Sequence, residues 1–80
     1  MRRPDELTTL EIYGDLGKLV AKLRMKDGLT QQDVAASIGC KRGWIAKVEQ
    51  GRCALYAHNL IALAYALGVR PSRLFREVRR

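Results

Sequence analysis

The stretch KRGWIAKVEQGR, residues 41–52, opens on the basic pair Lys41 and Arg42, just ahead of Gly43 and the single tryptophan, Trp44. The two basic side chains donate hydrogen bonds and carry positive charge, so the chemistry they suggest is anion recognition, not bond breaking. Ile45 and Val48 are spaced as one face of a helix, which makes Lys41 and Arg42 its opening residues. A basic pair is a poor helix start in isolation, because the free N–H groups there already make that end electropositive. The pair is suited instead to a helix end that meets phosphates and base edges. Arginine can bond guanine bidentately, whereas a lysine on a phosphate positions without specifying. The competing reading is two solvated surface charges.

The rest of the chain offers little to a catalyst. His58 is the single histidine, without partners for a metal site, and no nucleophile–base pair or carboxylate dyad can be assembled. Cys40 and Cys53 are the two cysteines, too few for a disulfide framework and not in metal-ligand spacing, so both are expected as reduced thiols. No enzyme activity, cofactor or metal is expected.

Eighty residues form one domain. Fifteen Lys and Arg against eight Asp and Glu leave a net charge of +7, which points to a polyanionic partner, nucleic acid before an anionic membrane. No apolar run approaches the ~20 residues of a membrane span. The opening MRRPDELTT lacks the apolar centre of a signal peptide, so a cytoplasmic protein is expected.

The apolar periodicity is helical throughout, so the fold class is all-α, with five helices in a compact bundle. Residues 1–7 read as a loose N-terminal arm and residues 8–80 as the domain. Thr8 and Glu11 form a capping box for a first helix, whose face carries Leu10, Tyr13, Leu16, Val20 and Leu23. Gly14 and Gly17 weaken its early part, and firm helix is expected only from about Asp15 to Asp27-Gly28. Thr30 and Asp33 form a second box for a helix to Ile38, stopped by Gly39. A third helix is predicted over Arg42 to Gln50. After a loop, Arg52 to Tyr56, a fourth covers Ala57 to Leu67, and Pro71 opens a fifth through Leu74, Phe75 and Val78.

Within residues 31–50, Val34, Ile38, Ile45 and Val48 can pack inward together. Ala35 suits the crossing of two helices and Gly39 the abrupt reversal between them. That arrangement is a helix-turn-helix, whose second helix can enter a DNA major groove. An ordinary helical hairpin would not require all of these residues.

The motifs LGKLVAKLR, GLTQQDVAASIG, WIAKVEQG and LIALAYALGV, from about Leu16 to Phe75, resemble the Cro/repressor-type helix-turn-helix (XRE) transcriptional regulators. The resemblance implies a lambda-repressor-like domain whose third helix reads DNA. Family positions then assign Gln31 to a phosphate and to bracing the reading helix, and Arg42, Gly43 and Lys47 to base edges. Trp44 is implied at sugar-phosphate or a thymine methyl, and Arg52 to Tyr56 with Asn59 along the backbone. Arg24 and Glu49 match a pair tying the first helix to the third. Departures from the pattern are Lys41 in place of a Ser or Thr cap, Gly43 with no reading side chain, and Leu55-Tyr56 in place of Pro-Ser.

The resemblance also implies dimerisation, through Leu74, Phe75 and Val78 with Ile61 and Tyr65. The five arginines after Val69 read as a solvated face. The function expected is a homodimeric regulator binding a pseudo-palindromic operator in double-stranded DNA and occluding or recruiting RNA polymerase. A phage-type repressor and a restriction–modification controller are both of this kind. The alternative is an antitoxin-type protein that masks a toxin and binds DNA secondarily.

Overall fold

Leu16, Leu19, Val20 and Leu23 all turn to one side of the first helix and are buried there. In the computed structural model, which describes residues 9–78 with side chains from Glu11 to Arg76, that helix is α1, Thr9–Lys26. It is followed by α2 (Gln31–Ile38), α3 (Arg42–Glu49), α4 (Ala57–Leu67) and α5 (Pro71–Val78), with no strand among the described residues. The Thr8 cap and the arm over residues 1–7 lie outside the described residues.

α2 begins as its sequence predicts. The Thr30 hydroxyl accepts from the Asp33 backbone N–H at 3.0 Å, and Asp33 Oδ2 accepts from the Thr30 N–H at 2.8 Å. The Thr30 backbone N–H and then its hydroxyl hold the Asp33 carboxyl below its ordinary value. Gly39 ends the helix with φ of 72°, a left-handed conformation that costs glycine nothing, and the Cys40 N–H reaches back to the Ala35 carbonyl at 3.0 Å. The chain thereby reverses into α3 within three residues, Gly39 to Lys41. Val34, Ala35 and Ile45 are fully buried and Val48 nearly so, while Ile38 packs at the edge of the same core. α3 closes at Glu49, with Gln50 as its C-cap, one residue short of the expected end.

α1 differs from its expected form. It is continuous helix through Gly14 and Gly17, and the reason is tertiary. A Cβ at Gly17 would stand 2.8 Å from the Glu49 carbonyl oxygen and closer still to that of Val48. A Cβ at Gly51 would stand 2.8 Å from Gly14 Cα. The two backbones touch where α1 crosses the end of α3, so these glycines set the approach of the helices. Packing of Leu16, Val20 and Val48 offsets their poor propensity.

α4 and α5 complete the core with Leu60, Leu63, Ala64, Leu67 and Leu74, and α5 lies against both α1 and α4. Leu74 corrects an expectation. The resemblance implies a place in a dimer junction, but Leu74 is 0% exposed inside its own protomer. Full burial of a leucine is worth about 1.5–3 kcal/mol, so the fold has already claimed that side chain.

Gly17→Ala is expected to lower stability by about 1–3 kcal/mol, because α1 and α3 must separate to admit the methyl. Gly14→Ala meets nothing within 4 Å and gains helix propensity, so it should be neutral or stabilising by up to about 1 kcal/mol. Urea denaturation of both variants checks this pair of opposite signs.

Candidate nucleic-acid interface

α3 starts at an N-cap, Lys41, that supplies no side-chain hydrogen bond, and no acidic residue sits in its first turn. The exposed Lys41, Arg42 and Gly43 therefore leave this end of the helix with two cations and no side-chain cap, and the exposed Lys47 follows in its last turn. Gly43 has no heavy atom within 4 Å of the place a Cβ would take, so its backbone stands open to a close neighbour. Gly51, at φ of 70°, turns the chain beyond α3, and the Arg52 N–H returns to the Lys47 carbonyl at 2.9 Å. Arg52 is thereby held as an exposed cation beside the helix.

The position of this helix depends on Glu49. Its carboxylate accepts from Arg24 Nε at 2.6 Å and Arg24 Nη2 at 3.0 Å, a side-on bidentate pair between α1 and α3. The two side chains are 14% and 10% exposed. Arg24 Nη1 also donates to the Leu29 carbonyl at 2.9 Å, tying in the turn before α2. The hydrogen bond to Glu49 raises the Arg24 guanidinium above its ordinary value. Gln31 joins the same group. Its Nε2 donates to Glu49 Oε1 at 3.1 Å, and its Oε1 accepts from Arg42 Nη1 at 3.0 Å. Gln31 is thereby tied to α3 at both ends, to Glu49 and to Arg42, and the residue spacing gave no sign of the second contact.

Trp44 and Asn59 are more committed to the protein than their expected roles suggest. Trp44 is half-buried and packs on the core. Asn59 Oδ1 accepts from the Tyr56 N–H at 3.1 Å, which starts α4 without the usual Pro-Ser. With Ile38, Cys40, His58 and Ala62, these two line a largely apolar groove of about 290 Å³ between the turn and α4. The exposed rings of Tyr56 and His58 lie nearly parallel at its edge, with centroids 6.2 Å apart. Burial raises the thiols of Cys40 and Cys53 above their ordinary value, which lowers their thiolate fraction and reactivity.

Among the expected dimer residues, Ile61, Tyr65 and Phe75 are 45%, 79% and 48% exposed. Ile61 and Tyr65 lie one turn apart on α4, Phe75 lies on α5, and the side chain of Val78 falls outside those described. Among the described residues there is no group of three metal-ligating side chains, and no helix is long and apolar enough to cross a membrane.

A family model described as a helix-turn-helix domain matches residues 15–77. An uncharacterised helix-turn-helix-type transcriptional regulator, y4dJ of Sinorhizobium fredii, is 41% identical over 59 residues, covering 69% of this chain and 77% of that protein. The chain belongs to the helix-turn-helix transcriptional regulators of the Cro/repressor (XRE) type. The restriction-modification controller protein C.AhdI of Aeromonas hydrophila superposes on this regulator with a TM-score of 0.75 at 32% identity, covering 79% of this chain and 96% of that one. A second controller, C.Esp1396I, solved as a tetramer with its natural 35 base-pair operator, has a TM-score of 0.75 at 22% identity. It covers 84% of this chain and 88% of its own, a likeness of fold.

In this regulator, Glu49→Ala leaves Arg24 without its carboxylate and Gln31 without its acceptor. A loss of about 1–3 kcal/mol is expected, below the range for a fully buried pair, since both side chains are part-buried. Arg24→Met combined with Glu49→Met should recover most of it, since no uncompensated charge remains. Thermal denaturation of the single and double variants distinguishes this from a pair that contributes little.

Proposed function

We propose that the protein is a sequence-specific, homodimeric DNA-binding regulator, with α3 entering the major groove of each half of a pseudo-palindromic operator. The observation that carries the reading is the start of α3, which exposes Lys41 and Arg42 with no side-chain cap and no acid in the first turn, on a helix tied from behind through Glu49. In the free protein that turn concentrates positive charge on the electropositive end of a helix. Phosphates and guanine edges relieve the conflict. Lys41, Arg52 and a spare N–H of Gln31 are suited to phosphate, and Arg42 to a guanine edge. Lys47, one turn and more beyond Arg42, stands for a neighbouring base or phosphate. The operator complex of C.Esp1396I supports this use of the fold.

Dimerisation follows from what one reading helix can achieve. A single helix covers few base pairs, too few for a useful specificity ratio in a genome, whereas two-fold pairing spaces two readings about 34–36 Å apart. The exposed apolar Ile61, Tyr65 and Phe75 are the surface we assign to that contact. Occupation of a promoter would then occlude or recruit RNA polymerase directly.

Arg42→Ala should weaken operator binding by about 1–3 kcal/mol and relax discrimination at particular base pairs. Lys41→Ala should weaken all sequences about equally and flatten the salt dependence by about one unit of slope. Titrations on base-substituted operators across salt concentrations measure both, after footprinting on the DNA upstream of the protein's own reading frame has located the site. Unchanged base preferences in Arg42→Ala would remove the arginine from the reading.

Tyr65→Glu places a charge in the assigned junction without disturbing the core, because that residue is 79% exposed. Sedimentation should show dissociation of a still-helical protein, with protection reduced to one half-site. A variant that stays fully dimeric would move the interface elsewhere.

A further inference from the structure

His58 lies across a groove from the start of α3. Cys40 of the turn and Trp44 of α3 line that groove on one side, and His58, Asn59 and Ala62 of α4 on the other, with Ile38 joining from α2. Lys41, exposed, follows Cys40 directly. The fold therefore holds the exposed His58 ring within the width of one small groove from the cationic end of α3. Its parallel stack on Tyr56, with centroids 6.2 Å apart, occupies a ring face and leaves the edge, which carries both nitrogens, to solvent. The titratable groups beside it are Cys40 from the turn, with Lys41 next in the chain, and Tyr56 from its own segment; α3 and α2 present Trp44 and Ile38. No acid lines the groove, and none lies in the first turn of α4. Among the described residues, a protonated His58 thus meets no carboxylate there.

We infer that His58 is a further DNA contact: in its protonated form it holds a backbone phosphate of the operator across the groove from Lys41, so that operator binding takes up a proton. This rests on the placement of α3 in operator DNA proposed above. A helix end set into the major groove has a sugar-phosphate strand along its flank, and His58 stands on that flank. A phosphate beside the ring favours the charged imidazole, so the bound protein keeps the proton to higher pH than the free protein does. By reciprocity, protonation tightens binding by the same factor. Affinity then falls as pH rises through the range, about pH 5 to 8, in which histidine changes charge. His58 is the single histidine of the chain. Carboxylates ionise below that range, and burial pushes the Cys40 and Cys53 thiols further above it. A chain terminus can titrate within it, so variants at His58 make the assignment.

The test uses the full chain and a synthetic operator duplex located by footprinting, titrated from about pH 5 to 8 at several salt concentrations. Wild-type affinity should fall with rising pH by up to about tenfold per pH unit for each half-site, the limit for one linked proton. Its dependence on salt should be steeper at the acid end, by about 0.9 in logarithmic slope for each half-site, as for one more phosphate neutralised. His58→Gln, neutral at every pH, should bind with little pH dependence and keep the shallower salt slope throughout. His58→Lys, charged at every pH in this range, should also lose the pH dependence but keep the steeper slope to the alkaline end. Circular dichroism at each pH confirms folding. Proton NMR of the His58 ring in the wild-type protein, free and on the operator, reads the same linkage without a substitution: its titration midpoint should move up on DNA.

Wild-type operator binding with one affinity and one salt slope across the range would overturn the contact, as would a His58 midpoint that stays put on DNA. A folded His58→Gln protein that keeps the wild-type pH dependence would place the proton elsewhere, and a shallow slope in His58→Lys would remove the phosphate. Failure of the wild-type protein to select any operator, at any pH, would instead remove the DNA-reading role on which the inference rests.

Discussion

The Glu49 carboxylate is the point through which three helices are registered. It sits on α3, closes on Arg24 of α1 and holds Gln31 of α2, whose oxygen reaches back to Arg42 at the start of α3. Apolar burial supplies most of the stabilisation, but it is non-directional and tolerates rotation or sliding of a helix. A bidentate arginine–carboxylate pair does not, because its two parallel hydrogen bonds lock both distance and plane. Beside it, Gly17 and Gly51 bring the backbone of α1 against the end of α3, so the helix is held by contact as well as by charge. A reading helix needs both restraints, since a small displacement at its base shifts every side chain at its tip.

The electrostatics of α3 run opposite ways at its two ends. At the C-terminal end, Glu49 lies near the negative end of the helix dipole and is compensated by the Arg24 guanidinium. At the N-terminal end, Lys41 and Arg42 add positive charge to exposed N–H groups with no compensating acid. The protein has therefore satisfied the end it buries and left unsatisfied the end it exposes. The oxygen of Gln31 is the single internal acceptor offered to Arg42 among the described residues, and it is neutral. It orients the guanidinium without cancelling its charge, which stays available to a polyanion.

Much of the architecture could be read from local residues. Thr30 with Asp33, Gly39 and Pro71 mark ends of α2 and the start of α5 by chemistry that acts within one turn, and these boundaries hold. What could not be read depends on partners far along the chain. Gly14 and Gly17 look like helix breakers until the core under α1 is assembled, and at Gly17 alone of the two the backbone of α3 leaves no room for a side chain. Leu74 and Phe75 are adjacent and equally apolar, and only the docking of α5 on α1 and α4 decides that the first is buried and the second exposed. Among the candidate interface residues, Lys41, Arg42, Gly43, Lys47 and Arg52 are exposed at α3 and just beyond it; the basic pair at 41 and 42 is legible as an unusual helix start, the other three only through family resemblance. Asn59 instead gives its oxygen to the start of α4, a capping role that its position three residues after Tyr56 could have suggested. The Arg24–Glu49 pair, 25 residues apart, leaves no trace in periodicity and came only through family resemblance.

We propose that the first turn of α3, with Lys41 and Arg42, lies in the major groove at guanine edges. Methylation of guanine N7 by dimethyl sulfate reports this directly, because N7 faces the major groove and adenine N3 the minor. On DNA bound by the wild-type protein, protection of N7 should appear at two guanine positions related by the two-fold axis of the site, about one helical turn apart. Methylation at those positions before binding should exclude the protein. Binding that leaves every N7 reactive, or that protects only adenine N3, would rule out this placement of α3.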